Sequence, residues 1–524
     1  MLDPLPSPRP AAPVRWAKVI DHESCIGCHA CTTACKSENE VPLGVTRTFV
    51  KQVETGTFPE ARRNFQVTRC NQCADAPCAT ACPTKAMHVR PDGIVDFDKS
   101  ICIGCKACIA ACPYDAVFIN PDDHAAEKCN FCAHRIDQGL EPACVVVCPS
   151  EAILVGDLND PSSRVSRIVH REPVQVRRPE KDTQPKLFYK GATQATLDPL
   201  AARRPGGGLF VWSEQRTGGQ HVVGGHPPEA KRSGTNSSAA ALLAYDVPHL
   251  APWDWKVSLY TVTKAIAAGA YLAPLALVAA GKLAESSPLW RWSGPLLGLL
   301  FLAITGALLV ADLTQPRRFW MIFAKPQWRS WLVRGAFLIA GYGAALAAHL
   351  VATWTGNFHL LEPIALAGAP LALAAAVYTA FLFAQAKARD LWQSPLLPPQ
   401  MAVQTFLAGA GATAPLAFAV APEAVPSLLW MLSVSVLFHL AFALGEVFLP
   451  HSTAHARLAT WEMTRGRYKK YFHFGGLFLL AALLAPWAGE VAPMGGAALA
   501  VVGLLGLLSH EHAYVQAGQS VPLA

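Results

Sequence analysis

From about residue 257 onward the chain falls into eight apolar runs separated by short polar loops, roughly at 257–281, 294–312, 331–352, 362–384, 401–420, 426–449, 473–489 and 493–509. A bilayer core takes about 20 helical residues to cross, and most of the runs meet that length, the last two being near the short limit. Their Gly and Ala content, as in Ala267–Ala270 and Ala408–Ala412, predicts helices that approach closely. Trp253, Trp255, Trp290, Trp292, Trp320, Trp328 and Trp331 sit at run ends, where interfacial aromatics belong. The pattern predicts an all-α bundle of eight transmembrane helices over 251–510, with a tail at 511–524.

Before residue 250 the pattern is that of a water-soluble unit. Met87–Arg90 and Gly93–Phe97 read as short strands joined by a turn at Pro91, Asp92 and Gly93. Residues 1–160 form one domain, and 161–250 read as a connector rich in Gly, Pro, Ser, Arg and Lys. Gly206–Gly208, Gly218–Gly219 and Ser233–Ser238 predict flexibility. The aromatic pieces Leu187–Tyr189 and Leu209–Trp212 are candidates for docking on the first domain or on a partner, with a plain tether as the alternative.

Composition changes this picture only by confirming that two solvents are involved. Hydrophobic residues make up 52% of the chain and charged residues 15%, which is too apolar for a soluble protein, and the excess is local to the C-terminal half. Charge adds an orientation. Loops 313–330, 385–400 and 450–472 carry eleven Lys and Arg, whereas the opposite loops carry only Lys282 and Arg291. The positive-inside rule then places the first domain and both termini in the cytoplasm, on the inner membrane. Residues 1–24 are Pro-rich without an apolar run, so no secretory signal is expected. No nucleic-acid partner is expected.

The chemistry lies in the sixteen cysteines, all between positions 25 and 148. They form four groups: Cys25, Cys28, Cys31, Cys35; Cys70, Cys73, Cys78, Cys82; Cys102, Cys105, Cys108, Cys112; and Cys129, Cys132, Cys144, Cys148. The first and third have the C-x2-C-x2-C-x3-C spacing that holds a 4Fe–4S cube; the second and fourth lengthen the middle gap. Three closely spaced thiolates wrap one cube, and the fourth lies too far along to close it, so it serves a neighbouring cluster. Pro83, Pro113 and Pro149 follow three of the groups and turn the chain away. Disulfides do not suit such cramped spacings, and structural zinc prefers paired knuckles. The first and third groups repeat at an offset of 77 residues, from Asp21–Cys28 to Asp98–Cys105, as a duplicated two-cluster unit would. The fold class is therefore an α+β duplicated ferredoxin-like module with four 4Fe–4S clusters, fused to the helical bundle.

Ionisable residues inside membrane spans are costly and default to functional hypotheses. On the cluster-facing side these are Lys264, Asp312 and Glu446, with His439 nearer mid-depth; His349, Glu362 and Glu490 lie on the far side. Asp312 either serves a functional pocket or pairs with Arg317 or Arg318, and Lys264 either contacts a cofactor or snorkels. His439 and Glu446 are seven residues apart, on one helical face. His349 and His439 lie at different depths, so no haem is expected.

Two motifs carry a resemblance. Cys70-Asn71-Gln72-Cys73 with Pro77-Cys78 and Cys82-Pro83, and Cys129-Asn130-Phe131-Cys132 with Cys144 and Cys148-Pro149, resemble the four-cluster subunits of molybdopterin oxidoreductases of the DMSO and polysulfide reductase type. The membrane half is similar to their NrfD-like quinone-binding anchor, in Asp312–Trp320, in Arg329, Trp331 and Gly335, and in Gln393–Leu397. The resemblance implies clusters held by Cys25, Cys28, Cys31 with Cys148; by Cys129, Cys132, Cys144 with Cys35; by Cys70, Cys73, Cys78 with Cys112; and by Cys102, Cys105, Cys108 with Cys82. It further implies a molybdopterin-containing catalytic partner and exchange of electrons with menaquinone or ubiquinone. The cytoplasm-facing variant it most resembles is the sulfite:quinone type. A hydrogenase or formate-linked complex, or a membrane redox carrier without a dedicated partner, is the alternative.

Overall fold

The computed structural model describes residues 14–56, 59–202, 241–247, 249 and 251–523. Eleven strands are described: β1 (Trp16–Asp21), β2 (Thr48–Thr55), β3 (Arg62–Arg69), β4 (Met87–Val89), β5 (Val95–Phe97), β6 (Val117–Ile119), β7 (Ala126–Lys128), β8 (Ile153–Asp157), β9 (Val174–Gln175), β10 (Leu187–Lys190) and β11 (Leu242–Tyr245). They make a four-stranded sheet in the order β8-β1-β10-β9, a three-stranded sheet β11-β2-β3, and two hairpins, β4-β5 and β6-β7. β1 is covered on both faces, so Ala17, Lys18, Val19 and Ile20 are all buried instead of alternating.

The turn at Pro91–Gly93 forms as its residues predict. Gly93 takes φ +79° and donates its N–H to Arg90 O, closing β4 onto β5. β6-β7 repeats that hairpin after the third cysteine group.

The expected connector begins later than 161. Residues 161–202 are folded onto the first domain: Val165 and Ile168 of the helix Arg164–Arg171 pack against Ala17 and Val19, and β10 pairs in parallel with β1. Spacing of i and i+3 gave that helix an apolar stripe short enough to be masked by its five Arg, His and Ser neighbours. Leu187–Tyr189 thus docks on the first domain. Gly206–Gly208, Gly218–Gly219, Ser233–Ser238 and Leu209–Trp212 lie outside the described residues.

Among the described residues, seven helices are long and apolar enough to cross a membrane: Trp255–Ala279, Leu289–Ala311, Trp331–Trp354, Phe358–Ala384, Leu397–Val420, Pro422–Phe448 and Pro493–Gln519. Between the sixth and last of these lies a bent apolar pair, a broken span or a re-entrant loop: Lys469–Ala482 and Ala485–Val491 meet at 47°, with Pro486 opening the second piece. The tail expected at 511–524 is corrected, since the last helix runs ten residues past 509, to Gln519. Polar Ser509, His510, Glu511 and His512 ended the apolar run, but Ala513, Tyr514, Val515 and Ala517 continue it and are buried. Trp253 is also not a lipid-facing aromatic; it is buried and stacks on Trp392 and Phe383, at 5.5 and 6.0 Å. The two small-residue stretches pack on each other. Gly269 faces Gly409 so closely that a Cβ on Gly269 would lie 2.6 Å from Gly409 Cα.

Candidate functional site

Each cysteine group opens on a C-x2-C loop whose third residue is left-handed: Gly27 at φ +69°, Gln72 at +48°, Gly104 at +67° and Phe131 at +68°. Glycine takes this conformation freely, whereas the other two need support. Gln72 is pinned by accepting Val95 N–H at 2.7 Å and donating to Cys129 O at 2.9 Å, and Phe131 is buried with Lys18 Nζ 4.1 Å from its ring centre. Backbone N–H groups from one loop and from the segments that follow the cysteine groups point at sulfur. Gln72 N donates to Cys70 Sγ at 3.5 Å, Met87 N to Cys82 at 3.3 Å, Ala126 N to Cys102 at 3.4 Å and Ala152 N to Cys148 at 3.2 Å.

The fold gathers the thiols across groups. Cys25 has Cys148 and Cys28 as neighbouring thiols, and Cys31 has Cys144 and Cys25. Cys35 has Cys129, Cys144 and Cys132. Cys73 and Cys78 share Cys70 and Cys112. Cys108 has Cys105, Cys82 and Cys102, and these four line one common cavity. Among the described residues, no three His, Cys, Asp or Glu side chains converge tightly enough to hold a single ion. The arrangement fits a larger, anionic group with thiolates at its corners better than a mononuclear metal.

Buried cations reinforce that fit. Arg69 Nη1 donates to Cys144 Sγ at 3.0 Å, and Lys18 Nζ lies 3.7 Å from the same sulfur. Burial raises the Cys144 thiol, but Arg69 and Lys18 outweigh it and bring it down to about 7. Arg69 Nε and Nη2 have no acceptor among the described residues, so this buried guanidinium is aimed at negative charge that the protein itself does not supply.

The Cys102–Cys108 loop sits directly on the membrane bundle. Thr314 N and Gln315 N donate to Gly104 O and Ile103 O at 3.2 Å, and Trp253 Nε1 donates to Cys105 O at 3.3 Å. Arg318 caps Lys99 O and Cys102 O, while Gln327 and Ser330 hold Ala79 O and Ala81 O. Asp312 pairs with Lys106, at 3.0 Å, and not with the Arg317 or Arg318 that sequence proximity offered. Ile103 packs on Ile322 and Val333 below.

Beneath this junction runs a buried polar seam. Lys264, 2% exposed, does not snorkel: its Nζ donates to Thr379 Oγ1 and lies 4.6 Å from the Tyr378 ring centre. Glu511 accepts from Gln404 Nε2 at 2.7 Å. Lys264 Nζ also lies 5.8 Å from the Tyr260 ring centre. His439 and Glu446 have other partners: His439 faces His510, ring centres 4.8 Å apart, and Glu446 accepts from Ser394 Oγ at 2.7 Å. Asp312 thus pairs at the junction with Lys106, Lys264 sits on Thr379 and Tyr378, and His439 and Glu446 contact His510 and Ser394. Glu511, His510, Gln404 and Tyr260 were missed by sequence reasoning. The signal was there in Ser509–His512, where titratable residues interrupt a helix that resumes its apolar period.

Comparison with known proteins bears on both halves. Residues 61–158 match a family described as a 4Fe-4S dicluster domain, residues 16–37 a 4Fe-4S binding domain, and residues 246–522 the family "Polysulphide reductase, NrfD". A tetrathionate reductase subunit of Salmonella typhimurium is 43% identical over 193 residues, covering 36% of this chain and 77% of that protein. A polysulfide reductase polypeptide of Wolinella succinogenes is 42% identical over 177 residues, 33% of this chain and 93% of its own length. A dimethyl sulfoxide reductase iron-sulfur subunit of Halobacterium salinarum, itself named by inference, is 40% identical over 219 residues, 36% of this chain and 84% of its own length.

Proposed function

We propose that this chain, which belongs to the polysulphide reductase NrfD family through residues 246–522 and carries 4Fe-4S domains ahead of it, relays electrons between a molybdopterin-containing catalytic subunit and the quinone pool. It is a multi-pass membrane subunit of an oxidoreductase complex, and substrate chemistry takes place on another subunit. The relatives are named as subunits of tetrathionate, polysulfide and dimethyl sulfoxide reductases, which supports a partner handling a small sulfur compound. A sulfite-oxidising partner is one such reading; it rests on the excess of positive charge in the loops that touch the cysteine module.

Those loops also support a cytoplasmic module. Arg318 and Lys387, both from them, contact Cys102 O and Asp75 of the module, so the positive loops and the module share one side.

The observation that carries the reading is the seating of the Cys102–Cys108 loop on the membrane bundle through Thr314 and Trp253. Four clusters, when bound, would supply one-electron carriers, with Cys82, Cys102, Cys105 and Cys108 holding the one nearest the membrane. The other three would lie on Cys70, Cys73, Cys78, Cys112; on Cys35, Cys129, Cys132, Cys144; and on Cys25, Cys28, Cys31, Cys148. The quinone, as substrate, takes two protons along with its electrons, and Asp312 is the carboxyl best placed under that loop to hold one. Lys264 and Tyr260 would line the pocket's membrane side.

Anaerobic electron paramagnetic resonance on membranes containing the chain tests this. Adding menaquinol should change the iron–sulfur signals within the turnover time of the complex. Signals that ignore quinol, in membranes shown to hold all the iron, would refute it.

A further inference from the structure

Lys18, Arg69, Lys128 and Lys186 are all buried in the cysteine module, each 2% exposed or less. Among the described residues, the hydrogen bonds of their charged ends go to sulfur or to carbonyl oxygen, never to a carboxylate. A buried cation without an anion is costly, so these four call for negative charge from a bound group. Lys18 and Arg69 answer to Cys144. Lys128 has no such sulfur contact, and its place in the fold is different.

Lys128 ends β7 and directly precedes Cys129. Its strand neighbour Glu127 leaves on the opposite face, to Arg47 Nε and Lys99 Nζ, each at 2.7 Å. Lys128 Nζ instead donates to Val95 O and, at 3.2 Å, to Cys129 O. Gln72 Nε2 donates to the same two oxygens, at 3.4 and 2.9 Å. One buried polar cluster therefore ties the second cysteine group, through Gln72, to the fourth, through Cys129.

That tie lies where the two halves of the duplicated module meet. Cys70 has Cys129 as a neighbouring thiol from the other half. Burial holds the Cys70 and Cys78 thiols above their usual range, and for both Lys128 is the foremost opposing charge. Lys186, whose Nζ donates to Gly93 O, also bears on Cys70, and Lys128 is the stronger of the two.

We propose that Lys128 sets the reduction potential of the group held by Cys70, Cys73, Cys78 and Cys112, at the crossing between the two halves. This rests on the relay reading above. Reduction adds one negative charge and breaks no bond, so a fixed ammonium beside the site favours it. Arg69 and Lys18 do the same for the site of Cys35, Cys129, Cys132 and Cys144 across the crossing. Lys128 thereby keeps the two sites level, and one electron passes between them without a steep climb. Lys128 is a positioning residue in this sense, acting through charge and not through contact with substrate.

The test is a redox titration of the full chain in membranes, followed by electron paramagnetic resonance with iron content measured alongside. Lys128→Gln offers an amide donor to the same carbonyls without the charge, and Lys128→Arg keeps the charge. Lys128→Gln should lower one midpoint by about 60 mV or more, a tenfold change for one electron. The signal that moves should be the one altered by Cys112→Ser, and Lys128→Arg should leave it near the wild-type midpoint. Loss of that cluster alone from Lys128→Gln, with Lys128→Arg normal, also supports the assignment, since charge is what the amide lacks. Unmoved midpoints in fully loaded Lys128→Gln overturn it, as does a shift confined to another signal. Loss of all iron from both variants overturns it too, because a purely structural role would do the same. A wild type with quinol-responsive signals and an unmoved Lys128→Gln refutes this role and leaves the relay standing, whereas a wild type without such signals removes the relay itself.

Discussion

Lys106 Nζ lies 3.0 Å from Asp312 Oδ1, joining the residue that follows a C-x2-C loop to the residue that ends the second membrane helix. Both side chains are largely buried, so the pair is shielded from salt and fixes where the cysteine module meets the bundle.

If Asp312 serves the quinone, Asp312→Asn should lower quinol-linked turnover by about tenfold or more while leaving iron content unchanged, in the range expected for loss of a general acid–base group. His439→Gln and Glu446→Gln, on their separate contacts, should do less. Steady-state rates with a soluble electron acceptor, measured for all three, rank them; equal losses would discard the junction as the pocket.

Gly104 offers a sharper probe of the seating. An added Cβ there would meet Thr314 Oγ1 at 1.7 Å, and its φ of +67° disfavours any side chain. Gly104→Ala should uncouple quinol from the clusters. The check is a variant whose iron–sulfur absorbance persists but whose signal no longer responds to quinol.

Arg69 should tune a potential. It is the cation against Cys144, with Cys129 and Cys31 also in its field. Arg69→Met removes a buried positive charge beside an anionic group, so one midpoint should fall by roughly 60 mV or more, a tenfold change for one electron. A redox titration followed by electron paramagnetic resonance reads it directly.

His249 predicts a pH dependence. It is buried between Asp246, 3.1 Å away, and Asp115. Burial opposes its charge, but Asp246 and Asp115 prevail and hold the imidazolium up to about 10. Its stabilising contribution is therefore fully present below about pH 6.5 and is lost as pH rises through about 10. His249→Asn should cost about 3 kcal/mol near neutrality, because two buried carboxylates lose their partner. Thermal unfolding across pH should show the gap between wild type and variant closing on the alkaline side.

What could be read in advance followed local periodicity. Cysteine spacing, the Pro91–Gly93 hairpin and the first six apolar runs are all written within a few neighbouring residues. The parallel pairing of β10 with β1 was not, because Leu187 and Lys18 owe their register to contacts far apart in sequence. Glu511 was missed for a related reason. It is buried against Gln404 of another helix, which no one-dimensional window includes. Asp312 was singled out, but its partner is neither Arg317 nor Arg318, which proximity along the chain offered, since the fold supplies Lys106.

The partner of β1 is β10, and β11 closes on β2 just before Trp255. On a ribosome, then, every described strand of the head emerges before the first membrane helix is offered for insertion. The order of synthesis lets the head close its sheets in water first, and leaves the bundle to be built beneath a finished lid.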